Sequence, residues 1–243
     1  NNSMAKALKL NNGTEMPIVG LGTWQSPKDE VQRAVRVALD TGYRHIDTAY
    51  NYQNEDAIGE VLDEYLKAGK VKRSDIYIVT KLPGIHMTPA KVRQSLEGSL
   101  KRLKVEYVDL YLIHSPMGMV HVSDDTPFPV DKDGNFMADN STDLLGIWKE
   151  MEKLVDAKLT RSIGVSNHNS EQIDRICKMA RIKPVTNQVE CHLYYPNADL
   201  AAFCKKRGVT ITAYAPIGSP GRPAFLYVLD FYFLNSRRYH IEL

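Results

Sequence analysis

Short apolar runs alternate with stretches whose apolar positions recur every three or four residues, and this alternation continues along most of the chain. The run at 18–21 is followed by Val31, Ala34, Val35, Ala38 and Leu39 at helical spacing, and Gly42 supplies the stop. The same strand-then-helix unit recurs with a run at 43–46 before a helical pattern at 57–66. It recurs again with a run at 76–79 before a pattern at 92–103, where Pro89 suits a first helical turn. Further short runs, rich in β-branched residues, lie at 107–113, 162–165, 185–189 and 209–213. Strands separated by helices predict right-handed parallel crossovers. Seven of them fit either a doubly wound sheet or a nearly complete (β/α)8 barrel, and periodicity alone does not separate the two. The stretch 115–142 breaks the rhythm. It lacks periodicity, carries Pro116, Pro127, Pro129 and Gly134, and far exceeds the usual connection of about 2 to 6 residues, which makes it a candidate lid.

Composition narrows the picture. A chain of 243 residues, 43% apolar and 25% charged, can bury the core of one domain spanning 1–243 and is not a disordered segment. A net charge of +2 creates no basic field to gather nucleic acid or anionic lipid, so small molecules are the expected partners. Cys177, Cys191 and Cys204 are too few for a disulfide framework and form no C-x-x-C pair, which predicts a reducing, cytoplasmic setting. The longest apolar run, 225–234, contains Asp230 and falls well short of the about 20 residues a membrane helix needs. A soluble monomer is expected, and Asn1 to Ser3 ahead of Met4 read as read-through before an initiator.

Polar residues stand where the runs end: Asp47, Lys81, His114, Ser166 with Asn167, Gln188 with Glu190, and Tyr214. Singly each has a bland explanation, such as a helix cap for Asp47, a solvated strand end for Lys81 beside Pro83, or a half-buried aromatic for Tyr214. In a barrel, however, all the C-terminal strand ends converge on one face, where active sites of that fold lie.

The segments Gly20-Leu-Gly-Thr-Trp24, Gly42-Tyr-Arg-His-Ile-Asp-Thr-Ala-Tyr50 with Tyr52 and Asn54-Glu55, Thr80-Lys-Leu-Pro83, Asp109-Leu-Tyr-Leu-Ile-His114, Gly164-Val-Ser-Asn167, Asn187-Gln-Val-Glu-Cys-His192 and Ala213-Tyr214 closely resemble the aldo-keto reductase family. The resemblance covers about residues 5–225, with the motifs in family order. It selects an α/β, (β/α)8 TIM barrel with seven of eight strands clearly present. It also implies NADPH-dependent reduction of aldehydes and ketones to alcohols, without a metal.

The implied catalytic set is Tyr52 with Asp47, Lys81 and His114. Hydride delivered to a carbonyl carbon leaves negative charge on oxygen, which must be protonated. Tyr52 is the expected donor, with the Lys81 ammonium expected to favour the phenolate and make it a better acid. Asp47 would hold Lys81 charged, and a neutral His114 would orient the carbonyl. Tyr50, two residues away, is read as structural. The implied cofactor residues are Gly22, Thr23, Asp47, Ser166, Asn167, Gln188, Tyr214, Gly218 and Ser219, and the substrate pocket is formed by Trp24, Tyr52 and His114 under the 115–142 loop. Two departures from the family pattern, Ser115 after the catalytic histidine and His168 after Gly-Val-Ser-Asn, predict a roomier, more polar pocket.

Other uses of these residues are weaker. A Schiff-base lysine at position 81 is disfavoured because Asp47 would keep the amine charged. A cofactor-binding regulatory subunit could use the same nucleotide site. Cys191 beside His192 matches a family motif better than a thiol nucleophile. His45, His86, His121, His192 and His240 show no metal-ligand spacing and read as surface or internally satisfied groups.

The resemblance stops at about Phe225. The family's eighth strand, and the lysine and arginine that grip the 2′-phosphate of NADPH, have no counterpart, and residues 225–243 carry six aromatics in 19 positions. This predicts an aberrant tail of spliced, intronic or frame-shifted origin and, as the alternative to an active reductase, an inactive truncated product of a reductase gene with exposed barrel edges, low solubility and lost NADPH preference. The competing expectation has 226–234 standing in for the missing strand.

Overall fold

The computed structural model describes residues 6–218, so Ser219, His240 and the segment 225–243, including the strand considered at 226–234, lie outside the described residues. The chain opens with an antiparallel hairpin, β1 (Ala7–Lys9) and β2 (Glu15–Pro17). Its turn needs Gly13, whose φ of +85° lies in the left-handed region. Three-residue strands leave too little alternation to read, and the hairpin escapes the sequence pattern.

Seven parallel strands follow: β3 (Leu21–Gly22), β4 (His45–Asp47), β5 (Tyr77–Leu82), β6 (Val108–Ile113), β9 (Thr160–Ser166), β10 (Thr186–Glu190) and β11 (Thr210–Tyr214). A two-stranded excursion, β7 (Gly118–Met119) and β8 (Ala138–Asp139), lies within the long stretch after β6. Six helices pack around the sheet: α1 (Lys28–Asp40), α2 (Glu55–Lys67), α3 (Val92–Leu103), α4 (Leu144–Asp156), α5 (Ser170–Met179) and α6 (Ala198–Lys205). Each of the seven runs read from the sequence yields one parallel strand. The first begins later than expected, because the Ile18 amide still bonds to the Lys6 carbonyl and leaves Ile18 and Val19 more than half exposed.

Every parallel strand lies beside its predecessor and successor in the sheet, from β3 to β11 without reversal. A doubly wound sheet reverses its order at a switch point, whereas a barrel does not, so this order together with the helices between the strands fits a (β/α)8 barrel. Among the described residues, β3 and β11 are the two outer strands.

Alternation along the strands sorts the core into two compartments. Tyr77, Val79, Leu110 and Leu112 cluster with Leu10, Met16 and Val185, without any helix residue, and form the barrel interior, closed from below by the hairpin. Ile46, Ile78, Leu82, Tyr111, Ile113, Ile163 and Val165 cluster instead with the inner faces of the helices. The helices come close where they can. A Cβ on Gly59 of α2 would collide with the Arg102 carbonyl and Leu103 backbone of α3. Caps match local chemistry: Asp143 accepts from the Gly146 amide, and Asn169 and Gln172 form a reciprocal capping box at α5. At the N-terminal ends of the strands, buried Asp109 binds Arg73, Arg161 and the Ile78 amide, on the face of the barrel associated with stability. No helix among the described residues is long and apolar enough to cross a membrane.

Candidate active site

The interior alternation carries chemistry to the upper rim. Lys81 continues the inward series Tyr77 and Val79, Asp47 pairs in register with Val79, and Gln188 pairs with Ser166. Three polar side chains from different strands therefore meet inside the barrel's C-terminal end. Lys81 is fully buried, and each of its ammonium protons has an acceptor: Asp47 Oδ1 at 2.5 Å, the Thr48 carbonyl at 2.9 Å and Tyr52 Oη at 3.2 Å. The second Asp47 oxygen accepts from Gln188 Nε2 at 2.7 Å. Burial pulls the Lys81 pKa down, but the Asp47 carboxylate and Tyr52 more than offset it, and the net shift is upward. A charged amine is a poor Schiff-base nucleophile, in line with the expectation against that role for Lys81.

Tyr52 comes from a 3-10 turn, Tyr50–Tyr52, directly after β4, and its ring meets His114 edge-on with centroids 5.7 Å apart. Its acidity departs from the expectation. Burial raises the Tyr52 pKa, Lys81 opposes the rise, and burial wins, so in the free protein the phenol is a weaker acid than an ordinary tyrosine. His114 behaves as expected: burial, reinforced by the Lys81 charge, lowers its pKa to about 3 and leaves it neutral. Its Nδ1 is buried without a partner among the described residues.

The expected cofactor residues line the adjoining strand ends. Ser166 Oγ donates to the Gln188 carbonyl at 2.8 Å, while Asn167, at φ +60°, donates to the His114 carbonyl at 3.0 Å and accepts from Tyr214 Oη at 3.0 Å. Thr23 is buried and donates through both amide and hydroxyl to the Asp47 carbonyl. Among the described residues nothing crowds a Cβ at Gly22, and Gly218 lies in the left-handed region at φ +97°. Ser166, Asn167 and Gln188 carry the hydroxyl and amide groups that a nicotinamide carboxamide bonds, beside Tyr214, which is 39% exposed; in the free protein these groups bond to one another and to Asp47, His114 and Tyr214. Trp24 stands half exposed after β3.

One of two further expectations agrees with the structure and the other is overturned. Tyr50 is tied elsewhere, donating to the Asp124 carbonyl at 2.9 Å and packing on His86, as a structural residue should. His168 does not add polarity to a pocket: it is 1% exposed, bonded through Nδ1 to the Ser166 carbonyl, and burial lowers its pKa to about 4. Asn54, Glu55 and Asn187, quoted in the sequence motifs without a role, hold the site in place. Asn54 donates to the Thr23 and Ser26 carbonyls and accepts from Thr48, locking the loops after β3 and β4 together. Buried Glu55 accepts from Thr80, Ser99 and Arg102 on the outer side of β5, behind Lys81. Asn187 holds both backbone groups of His168.

A family model described as Aldo/keto reductase family matches residues 18–225. Aldo-keto reductase family 1 member A1-A of Danio rerio is 46% identical over 221 residues, covering 90% of this chain and 67% of that protein. Aldo-keto reductase family 1 member A1 of Gallus gallus is 44% identical, covering 88% of this chain and 64% of that one. The chain thus spans about two thirds of the length of these relatives. The solved aldose reductase of Schistosoma japonicum superposes with a TM-score of 0.84 at 45% identity, over 94% of this chain and 75% of the other.

Proposed function

The chain belongs to the aldo/keto reductase family, and from that premise we propose that it reduces aldehydes and ketones to alcohols with a nicotinamide dinucleotide, taken as NADPH, and with Tyr52 as the proton donor. The observation that carries this reading is the Lys81 ammonium bridging Asp47 and the Tyr52 hydroxyl at the mouth of the barrel. Ser166, Asn167, Gln188 and Tyr214 would hold the nicotinamide, with Gly22, Thr23 and Gly218 alongside and Ser219 following. When bound, the reduced nicotinamide supplies the hydride.

The chain's own residues supply the rest. Because Tyr52 Oη accepts from Lys81, its hydrogen is directed away from the lysine and is free to go to a carbonyl oxygen. The raised pKa keeps that hydrogen on the phenol at neutral pH. As the proton leaves, negative charge grows on Tyr52 Oη, where an ammonium already stands, so the attraction is strongest in the transition state. Asp47 and Thr48 hold the ammonium in place without leaving a net positive charge in the interior. Neutral His114 can donate to the carbonyl oxygen without adding a charge. Trp24 and the 115–142 loop would bound the pocket. The reading extends to a cytoplasmic setting, which the three free thiols support, and to a monomer.

The test is Tyr52→Phe in the 243-residue chain. Loss of a positioned general acid lowers carbonyl-dependent NADPH oxidation by about 10² to 10⁴ while cofactor binding, read by fluorescence, persists. Unchanged turnover removes Tyr52 from the mechanism, an unaltered chain that never oxidises NADPH rejects the reductase reading, and equal rates with NADH reject the NADPH assignment.

A further inference from the structure

Away from the catalytic cluster, a histidine after β5 meets a histidine and an aspartate of the loop after β6 at the rim. His86 ends the 3-10 turn Gly84–His86 after β5, whereas His121 and Asp124 belong to the long loop after β6. Asp124 Oδ1 accepts from His86 Nε2 at 3.0 Å and from His121 Nε2 at 2.9 Å, and the three ligand-capable atoms lie within 4.8 Å of one another. A cavity of about 340 Å³ opens beside them, lined in part by Tyr50, Lys91, Ser95 and Arg102.

We propose that His86, His121 and Asp124 form a site for one divalent transition-metal ion of the zinc type, which clips the 115–142 loop to the barrel rim. Two imidazoles and a carboxylate are a donor set that zinc accepts, with a fourth position left for water, and the open cavity provides both that position and an entry path. Metal–ligand bonds of about 2.0 to 2.2 Å in a tetrahedron place ligand atoms roughly 3.3 Å apart. The two separations to Asp124, 3.0 and 2.9 Å, need to open by only a few tenths of an ångström, and the two imidazole nitrogens already lie within 4.8 Å of each other. His121 and Asp124 can supply that movement, since their side chains are 36% and 68% exposed.

Proton placement is also provided for. Without a metal, each Nε2 carries the hydrogen it gives to Asp124. Coordination needs that nitrogen's lone pair, so the hydrogen must move to Nδ1. On His86, Nδ1 already faces Ser95 Oγ at 3.0 Å, a hydroxyl that can serve as acceptor in the metal-bound form as readily as donor without it. A partner on the distal nitrogen is what fixes a ligating imidazole in place.

The clip would act on the reaction through the loop. The Asp124 carbonyl accepts from Tyr50 Oη at 2.9 Å, and Tyr50 and Tyr52 share one 3-10 turn. An ion tying Asp124 and His121 to His86 therefore fixes the loop against the turn that presents the proposed proton donor, without touching Tyr52, Lys81 or Asp47.

The experiment is equilibrium dialysis of the untagged 243-residue chain against Zn²⁺ and, separately, Co²⁺. One ion per chain is expected, with visible Co²⁺ bands of nitrogen and oxygen ligation and no near-ultraviolet thiolate charge-transfer band. His121→Asn with Asp124→Asn, confirmed folded by circular dichroism, should weaken binding at least 100-fold while Cys191→Ser leaves it unchanged. No binding at micromolar Zn²⁺, binding that survives the double variant, or a thiolate band each overturns the proposal. These readouts need no catalytic activity, so the site stands or falls independently of the reductase reading.

Discussion

Replacing Lys81 with methionine separates what the lysine does for stability from what it does for chemistry. The Lys81 side chain is fully buried and that of Asp47 is 16% exposed, so the pair lies largely out of water. Methionine fills most of the volume of the aliphatic stem but removes the donors to Asp47, Thr48 and Tyr52. Asp47 keeps its bond from Gln188, yet its charge now lacks a counterion. Breaking a buried pair from one side costs about 3 to 5 kcal/mol, against about 0.5 to 1.5 kcal/mol for a typical neutral hydrogen bond, so the stranded charge should dominate the loss. On a total stability of about 5 to 15 kcal/mol, that is a large fraction. Adding Asp47→Asn removes the stranded charge, and the double variant should regain most of the stability, since replacing both partners of a buried pair is often close to neutral. Turnover should not return, because Tyr52 still lacks its ammonium. Urea unfolding followed by circular dichroism, at constant slope, gives the stabilities, and carbonyl-dependent NADPH oxidation gives the activities. A double variant as unstable as Lys81→Met would mean that shape, not charge, sets the cost. Turnover that recovers together with stability would make Lys81 a structural residue only.

The buried histidines make a pH prediction. His114 and His168 are held neutral by burial, at about 3 and about 4, whereas an unfolded imidazole titrates at about 6.5. Between these values the unfolded chain binds more protons, so stability falls as pH drops below about 6.5, by about 1.4 kcal/mol per pH unit for each histidine. His168→Phe should lessen that slope by one proton's worth between about pH 6.5 and 4, read from urea midpoints, and an unchanged slope would refute the assignment. Two glycines make a packing prediction. Gly59→Ala drives a methyl into the Arg102 carbonyl and Leu103 backbone and should cost about 1 to 3 kcal/mol. Gly98→Ala meets only the flexible Arg102 guanidinium and should be neutral or stabilising by up to about 1 kcal/mol, with thermal melts of the pair deciding whether backbone contact is what matters.

Much of this architecture was readable residue by residue. The seven apolar runs mark seven parallel strands, because a strand buried on both faces needs continuous apolar character whatever its neighbours are. The helical patterns mark α1, α2 and α3, with Gly42 and Pro89 as their punctuation, because these signals arise within a few residues of chain. Family motifs at the run ends also named Asp47, Lys81, Tyr52 and His114, which the tertiary structure brings to one rim. Periodicity could not choose between barrel and doubly wound sheet, since both use the same local unit. The family motifs select the barrel by resemblance, and the unreversed strand order, a property of the whole sheet, bears that selection out. The acidity of Tyr52 departs from the motif's expectation for a related reason: a motif reveals the neighbouring Lys81, but desolvation is the summed effect of everything packed around the phenol. Asn54, Glu55 and Asn187 position the site through contacts with other elements, and His86 meets His121 and Asp124 only because the loop after β6 folds back over the turn after β5. Local pattern determines which element forms, whereas long-range packing determines what each polar group faces and therefore what it can do.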